Sequence, residues 1–260
     1  MRKSLGLRAA ILAAALAASL VCTGTAAEAH PVALIITYHA TPANWLKLRK
    51  AMDKHMASRL ATAKRQGLLS GFRLFYNRDP DAVTWAGMAI LDFSSEQALE
   101  QFHAAERGSP AVFGPAELAL TSSIETTECE TVRDGGSAQA GPSPLYLIIP
   151  YRYVVSADAY RTYLDHYTIP QLRGWMKAGI LSRYQIQMAT FPAARPWSAL
   201  LVLRYRGAAE LARRDAVKTR VRAALAYNPD WKKFSENKSH IRDELAPAVA
   251  ELLARSPSKD

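Results

Sequence analysis

The feature that most constrains this chain is an internal repeat. Residues 34–38 (LIITY) return as residues 147–151 (LIIPY), and two tryptophans, Trp85 and Trp197, lie 112 positions apart. At the same offset, residues with an identical partner include Arg49, Asp53, Leu60, Gly67, Leu69, Ser70, Pro80, Ala82 and Leu91. At the first strand the offset is 113, which indicates one residue gained or lost in the loop after it. A self-match at nearly constant offset across several elements favours one fold unit written twice.

Each copy shows the same order of predicted elements. In the first copy, β-branched or alternating runs predict strands at 32–39, 72–76 and 85–93. Helical spacing of apolar residues predicts helices that begin at Trp45 and near Ser95, and Gly67 ends the first of them. A fourth strand is predicted over 121–132. The second copy repeats the pattern with strands at 146–153, 184–188 and 197–205 and helices at 160–177 and 208–225.

This order predicts an α+β fold made of two tandem ferredoxin-like β-α-β-β-α units. Such a unit leaves one face of its antiparallel sheet open, which is a large apolar surface. We expect the two sheets to pack face to face as a barrel within one chain. The first unit spans 30–133 and the second spans 145–260, and a segment rich in glycine and proline at 134–144 is predicted as the linker.

The N-terminus predicts export. Three basic residues, a short apolar run and an A-x-A site make residues 1–29 a secretory signal peptide. We therefore expect a periplasmic or secreted protein. Cys129 is the only cysteine after the signal peptide, so an internal disulfide is excluded for the mature chain.

Charge is distributed unevenly between the two halves. Residues 30–133 carry eleven basic and eleven acidic residues, whereas residues 134–260 carry nineteen basic and eleven acidic residues, a net charge of +8. A solvated helix face explains the excess most simply, and weak contact with an anionic membrane surface is an alternative. Because the chain is predicted to be exported, nucleic acid is not expected as a partner.

Several motifs of the second copy resemble a known superfamily. The run YRGAA at 205–209 before a basic helix, and NPDWKKF at 228–234, are similar to the C-terminal pattern of NIPSNAP proteins. His166 and Pro170 are similar to the histidine and proline at a helix end in EthD-like proteins, although there only one residue separates the two. In the first copy the histidine is shifted to His55, and Ser58 replaces the proline. The chain thus resembles the dimeric α/β-barrel superfamily, whose members include monooxygenases, isomerases, haem enzymes and binding proteins.

Strand alternation selects the candidate ligand-binding residues. In the first strands of the two copies, one set of alternate residues is wholly apolar and should pack under the helices. His39 and Arg152 then point toward the space between the sheets, as a proton-transfer group or hydrogen-bond donor and as an anion clamp. The alternative is that both side chains lie at strand ends in water. The second strands offer the further candidates Arg73, Phe75, Gln185 and Gln187.

Two further candidates lie on a predicted helix. His166 and Tyr167 could reach the mouth of the barrel, or could simply belong to an amphipathic helix that packs its aromatic residues. No phosphate-binding glycine loop, nucleophile elbow or zinc-binding spacing is present, so no metal is predicted and no catalytic residue is assigned.

The sequence therefore favours an exported binding protein that holds a small apolar or aromatic molecule between its two sheets, as a monomer or homodimer. The resemblance keeps a second hypothesis open. It is a cofactor-independent monooxygenase or isomerase, or a haem-binding enzyme, that uses a barrel histidine. No cofactor is required by the sequence itself.

Overall fold

We describe a computed structural model of the 260-residue chain, in which residues 31–81, 84–108, 112–137 and 141–256 are described. The predicted signal peptide, residues 1–29, lies outside the described residues. In the first half the main elements are β1 Val32–His39, α1 Trp45–Ala51, α2 Ala57–Arg65, β2 Gly71–Asn77, β3 Gly87–Phe93, α3 Glu96–Glu106, α4 Pro115–Leu118 and β4 Ser123–Gly136.

The second half repeats this arrangement and adds elements near its end. Its main elements are β5 Leu145–Tyr153, α5 Ala157–Tyr163, α6 Ile169–Lys177, β6 Leu181–Ala189, β7 Ala199–Tyr205, α7 Ala208–Ala212, α8 Arg214–Leu225, α9 Pro229–Asn237, β8 Arg242–Glu244 and β9 Ala248–Arg255.

Eight strands form one closed antiparallel barrel. Around the barrel the order is β1-β3-β2-β9-β5-β7-β6-β4, and β4 pairs again with β1, while β8 adds to β5 outside the ring. The α+β class and the barrel are thereby confirmed. The sheets of the two halves do more than face each other, because β4 pairs with β6 and β9 pairs with β2. These joints leave no open sheet edge within the ring, which removes a site for unwanted strand pairing.

Alternation along the strands separates the interior of the barrel from its helical coat. In β1, Leu34 and Ile36 pack with the helices of the first half, whereas Ile35 belongs to the cluster inside the barrel. In β5, Leu147 packs with the helices of the second half and Ile148 points inward. Burying each such side chain stabilises the fold by about 1.5–3 kcal/mol relative to exposure. Other interior side chains include Phe75, Met88, Ile90, Cys129, Tyr146, Leu200 and Val202.

In each half, the long helix that follows the first strand contains a π-helical turn. Between α1 and α2 it spans Met52–Met56, and between α5 and α6 it spans Leu164–Thr168. The two turns lie 112 positions apart, which is the offset of the sequence repeat. A π turn widens a helix locally and changes the direction of the side chains it carries. Tyr167 lies within the second of these turns.

Strand β4 extends into the range that was predicted as a linker. Asp134, Gly135 and Gly136 pair with Gln185, Tyr184 and Arg183 of β6. The two glycines suggested a loop, but close approach explains them: a Cβ on Gly135 would overlap the ring of Tyr184, and one on Gly136 would overlap the backbone of β6. Gly136 also has a φ of +113°, which side chains rarely tolerate. Strand pairing here overrides local propensity.

Within the described ranges, no helix combines the length and apolar character needed to cross a membrane. The same part of the chain contains no group of three or more histidine, cysteine, aspartate or glutamate side chains that could hold a metal ion.

Candidate functional site: a basic cavity at one end of the barrel

A cavity of about 270 Å³ opens at the end of the barrel where β1 and β5 begin. We call it the arginine mouth, defined by its lining residues. The polar lining consists of Lys64, Ser70, Arg73, Asp92, Arg183, Gln185, Arg204, Arg255 and Ser256. The apolar and aromatic lining consists of Phe72, Tyr146, Tyr184 and Val202.

Strand periodicity brings the polar residues to this mouth. In β3 and β7, Asp92 and Arg204 stand two residues beyond Ile90 and Val202, which belong to the barrel interior. Alternate residues of a strand share a face, so both polar side chains continue the interior face to its rim. Asp92 and Arg204 are 112 positions apart, as are Arg73 and Gln185. The same positions of the two halves therefore carry different charges.

Arg73 lines one side of the mouth and forms an ion pair there. Its guanidinium contacts both oxygens of Asp92, at 2.9 and 3.3 Å, and also donates to Oε1 of Gln185. Arg73 is only 18% exposed, so this ion pair is shielded from solvent more than a surface pair. The contact between Arg73 and Gln185 joins β2 of the first half to β6 of the second half across the mouth.

A second ion pair lies beside the first. Arg183 donates from Nε to Asp134 at 3.1 Å and from a second guanidinium nitrogen to the other oxygen of the same carboxylate. This two-pronged contact raises the pKa of Arg183 above its usual value. Asp134 also accepts from the side-chain amide of Gln185 at 3.2 Å. The two ion pairs thus form one network through Gln185.

Arg204 is the buried cation of the mouth, with 4% of its surface exposed. Its Nε donates to the hydroxyl of Ser182 at 2.9 Å, and another guanidinium nitrogen donates to the carbonyl of Ser137. Burial lowers the pKa of Arg204, and the nearby Tyr146 hydroxyl, which contacts it by a hydrogen bond, opposes this shift. The cost of burying a charge makes such a group a strong attractor for an anion.

The balance of charge at the mouth is positive. Five lining side chains are cationic and one, Asp92, is anionic; Asp134 stands just behind the lining. The carboxylates of Asp92 and Asp134 contact Arg73 and Arg183, and five cations against these two carboxylates give a formal charge of +3. Charges of the same sign produce a stronger electrostatic potential inside a cleft whose walls have a low dielectric constant. The arrangement therefore attracts an anion, and the aromatic walls offer a surface for its apolar part.

Four of the sequence-predicted residues lie along this interior. Arg73 and Gln185 line the mouth and contact each other. One alternation deeper, Phe75 packs edge-on against Tyr146 with ring centroids 4.8 Å apart. Gln187 is fully buried and accepts from the hydroxyl of Thr131 at 2.9 Å. Their roles in ligand binding remain predictions.

His39 and Arg152 lie at the opposite end of the barrel. Because β1 and β5 run in the same direction, both strands end there, away from the arginine mouth. His39 is half-buried with Nε2 4.0 Å from Glu125, and exposed Arg152 donates to the carbonyl of Pro196 at 2.9 Å. The structure does not bring them together with Arg73 and Gln185. A role for either side chain stays a prediction.

The two helix candidates lie outside the barrel. His166 is exposed and stacks on Phe234, with ring centroids 5.4 Å apart. Tyr167 is 1% exposed and stacks between Tyr163 and Trp231. Neither side chain lines the arginine mouth.

Haem is a cofactor of some proteins in the superfamily that the sequence resembles, and the two clefts near the barrel differ from a haem site in their residues and size. The described histidines are His39, His55, His103, His166 and His240, and none of them lines the arginine mouth. His103 borders a separate cleft of about 250 Å³, but its two ring nitrogens lie 3.3 and 3.2 Å from the carboxylates of Glu106 and Glu128. Sites for drug-sized ligands measure about 300–1,000 Å³. The described residues therefore do not fit a haem in either space.

Sequence reasoning missed Asp92, Arg183, Arg204 and Tyr146. Arg204 is one of the nineteen basic residues of the second half, whose excess charge a solvated helix face explains most simply, but it lies in β7 and lines the mouth of the barrel. A usable signal was present, because Asp92 and Arg204 interrupt two otherwise apolar strands at positions that the repeat makes equivalent. A charged residue at the same place in both copies indicates a shared polar position.

Comparisons with known proteins give likeness of fold. No protein-family model matches this chain, and no curated protein matches it either. An anthrone oxidase-like protein matches with a TM-score of 0.56 at 13% identity, covering 89% of this chain and 94% of that chain. A protein described as a monooxygenase from Fusobacterium nucleatum matches with a TM-score of 0.53 at 9% identity, covering 88% and 95%.

A third solved structure is the chlorite dismutase from Candidatus Nitrospira defluvii. It matches with a TM-score of 0.51 at 11% identity, and the match covers 89% of this chain and 93% of that chain. At such identities the likeness concerns the backbone, and function has to be argued from the site. All three are dimeric α/β-barrel proteins, and the closed eight-stranded barrel described above agrees with them. This chain has the dimeric α/β-barrel fold.

Proposed function

We propose that this protein binds a small organic anion at the arginine mouth. The observation that carries the proposal is the buried Arg204 within a cavity where five cationic side chains stand against two carboxylates. Arginine presents a planar fork that matches a carboxylate, and a partly desolvated guanidinium gains more from such a pair than an exposed one does. The ligand class is therefore a carboxylic acid rather than a neutral molecule.

The apolar part of the ligand is argued from the walls and the volume. Phe72, Tyr146 and Val202 are each less than 10% exposed and flank the charged groups. The volume of about 270 Å³ lies just below the range of about 300–1,000 Å³ for drug-sized ligands. A single aromatic or alicyclic ring with one acid group suits both features. The ligand is thus aromatic or apolar in part, as the sequence predicts, but it lies at the mouth of the barrel and not in the interior.

Calorimetric titration of the purified protein with benzoate and with benzamide tests this function. The two probes have nearly the same shape and differ in charge. We expect benzoate to bind at least about tenfold more tightly, which corresponds to about 1.4 kcal/mol. Raising the salt concentration should weaken benzoate binding more than benzamide binding. Equal affinity for the two probes would contradict an anion site.

We further propose that the chain arose by tandem duplication of a ferredoxin-like unit. Two observations support this. The strand orders β4-β1-β3-β2 and β9-β5-β7-β6 are the same in the two halves, and the π turns recur at the repeat offset.

The NIPSNAP-like assignment rests on the run at 228–234, where Asn228 caps α9 by accepting from the backbone of Trp231 at 3.1 Å.

Export is proposed on the sequence of residues 1–29 alone. If the signal peptide is removed, N-terminal sequencing of protein recovered from the periplasm or medium should begin near His30. Recovery of the uncleaved chain from the cytoplasm alone would contradict export.

A further inference from the structure

The second half of the molecule holds another small cavity, outside the barrel. It measures about 40 Å³ and lies between the outer face of β5 and β7 and helices α6 and α8. A site of 10–15 Å³ is enough for one water molecule, so this space admits a group of a few atoms. It is separate from the arginine mouth and shares no lining residue with it.

Two buried polar atoms that line this cavity have no hydrogen-bond partner among the described residues. They are the hydroxyl of Tyr167 and the indole nitrogen of Trp175. Tyr167 and Trp175 are 1% and 5% exposed. Buried polar groups are almost always hydrogen-bonded, and leaving one unpaired is costly. Both groups can donate a hydrogen bond, so the missing partner is an acceptor.

The charge around the cavity has the sign that such an acceptor requires. Four cations, Arg214, Lys218, Arg222 and Arg242, line the cavity, against Glu244 in the lining and the exposed Asp215 beside it. Arg242 contacts Glu244 at 3.4 Å and Arg214 contacts Asp215 at 3.1 Å. Burial and the neighbouring Arg214 and Arg222 lower the pKa of Lys218. Arg222 is fixed by a contact of 2.7 Å from its Nε to Oε1 of Gln171. Two cations, Lys218 and Arg222, are thereby left in excess of the carboxylates, which favours an anion as the missing acceptor.

In the first half, the residues at two equivalent sequence positions contact a carboxylate of the chain itself. His55 and Arg59 stand 112 positions before Tyr167 and Gln171. Both contact the carboxylate of Glu117, at 2.6 and 3.7 Å, and Glu117 is 9% exposed. The contact with His55 is the main cause that lowers the pKa of Glu117. The first half thus places a carboxylate of its own against these positions, whereas in the second half the hydroxyl of Tyr167 has no acceptor among the described residues.

We infer that the cavity between α6, α8 and the outer sheet face binds an oxyanion, either inorganic phosphate or the carboxylate or phosphate group of a larger molecule. The hydroxyl of Tyr167 and the indole nitrogen of Trp175 donate to it, and Arg214 and Lys218 neutralise its charge. This inference does not rest on the ligand of the arginine mouth.

The variant Tyr167→Phe tests the inference, because it removes the unpaired hydroxyl and keeps the ring that stacks on Trp231. In a buffer free of oxyanions, we expect it to raise the melting temperature by about 2 °C or more, since a buried unsatisfied group is lost. In the wild-type protein, inorganic phosphate should raise the melting temperature by linkage. In the variant this rise should require about tenfold more phosphate.

Two matched variants separate this site from other basic surfaces. Arg220→Gln removes an exposed charge from α8 that does not line the cavity, and Arg183→Gln removes a cation from the arginine mouth. Both should keep most of the phosphate-dependent rise, whereas Lys218→Gln should reduce it about as much as Tyr167→Phe does. A lower melting temperature for Tyr167→Phe without phosphate would overturn the inference. So would absence of a phosphate effect in the wild-type protein, or its loss in Arg183→Gln with full retention in Tyr167→Phe.

Discussion

Trp231→Ala is expected to destabilise the protein by about 3–5 kcal/mol, the usual cost of truncating a large buried aromatic side chain. Trp231 is 4% exposed, stacks on Tyr167 at 5.2 Å and donates from Nε1 to the carbonyl of Tyr167 at 3.1 Å. That carbonyl lies in the π turn, where the regular helical hydrogen bonds are displaced. Removing the indole therefore leaves a cavity and removes one of two side-chain donors to that carbonyl, which keeps the amide of Gln171 at 3.0 Å. Urea unfolding followed by far-ultraviolet circular dichroism measures the loss.

Two controls identify the origin of this effect. Trp231→Phe keeps most of the ring and loses one hydrogen bond to a carbonyl that Gln171 still contacts, so we expect it to cost about 1 kcal/mol plus a smaller packing term. Tyr227→Ala removes an aromatic ring that is 92% exposed and should change stability by less than about 0.5 kcal/mol. If Trp231→Ala behaved like Tyr227→Ala, the packing of α9 against the π turn would be wrong.

Gly136→Ala is expected to cost about 3–4 kcal/mol, since it combines backbone strain with overpacking. Gly136 has a φ of +113°, and an added Cβ would overlap the carbonyl oxygen of Ser182 and the Cα of Arg183. Backbone atoms of a paired strand cannot rotate away as a side chain can. The change therefore separates β4 from β6. The pairing of these strands is one of the two joints between the halves that close the barrel.

Gly179→Ala is the matched control for that prediction. Gly179 also has a positive φ, +76°, but nothing lies within 4 Å of its added Cβ. It should cost only the strain of a left-handed conformation, about 1–2 kcal/mol. Thermal unfolding of both variants gives the comparison. Similar losses in the two would show that β4 and β6 do not approach each other as described.

Much of the fold could be predicted from the repeat and from alternation along the strands. The period of two places Leu34 and Ile36 under the helices and Ile35 inside the barrel, because successive side chains of a strand point to opposite faces of the sheet. The joints between the halves could not be predicted. Pairing between β4 and β6 depends on two distant segments, and the glycines that permit it resemble a loop when only local propensity is considered.

The site was less predictable than the fold. Arg73 and Gln185 were selected from alternation and do line the mouth, but alternation does not tell which end of a barrel is open. His39 and Arg152 lie at the other end, where Arg152 is exposed. In the sequence, Arg204 is not distinguished from the other basic residues of the second half, and only the pairing of β7 with β5 and β6 shows that it is buried.

Arg183→Gln tests whether the arginine mouth binds an organic acid, because it changes a lining cation and its effect on benzoate affinity can be measured. Arg183 lines the mouth but is 38% exposed, so the barrel should tolerate the change. Arg220→Gln removes an equal charge from an exposed position on α8 and controls for the overall field. Calorimetric titration with benzoate should show affinity about tenfold weaker for Arg183→Gln and within about twofold of wild type for Arg220→Gln. Equal benzoate affinity in all three proteins would contradict the claim.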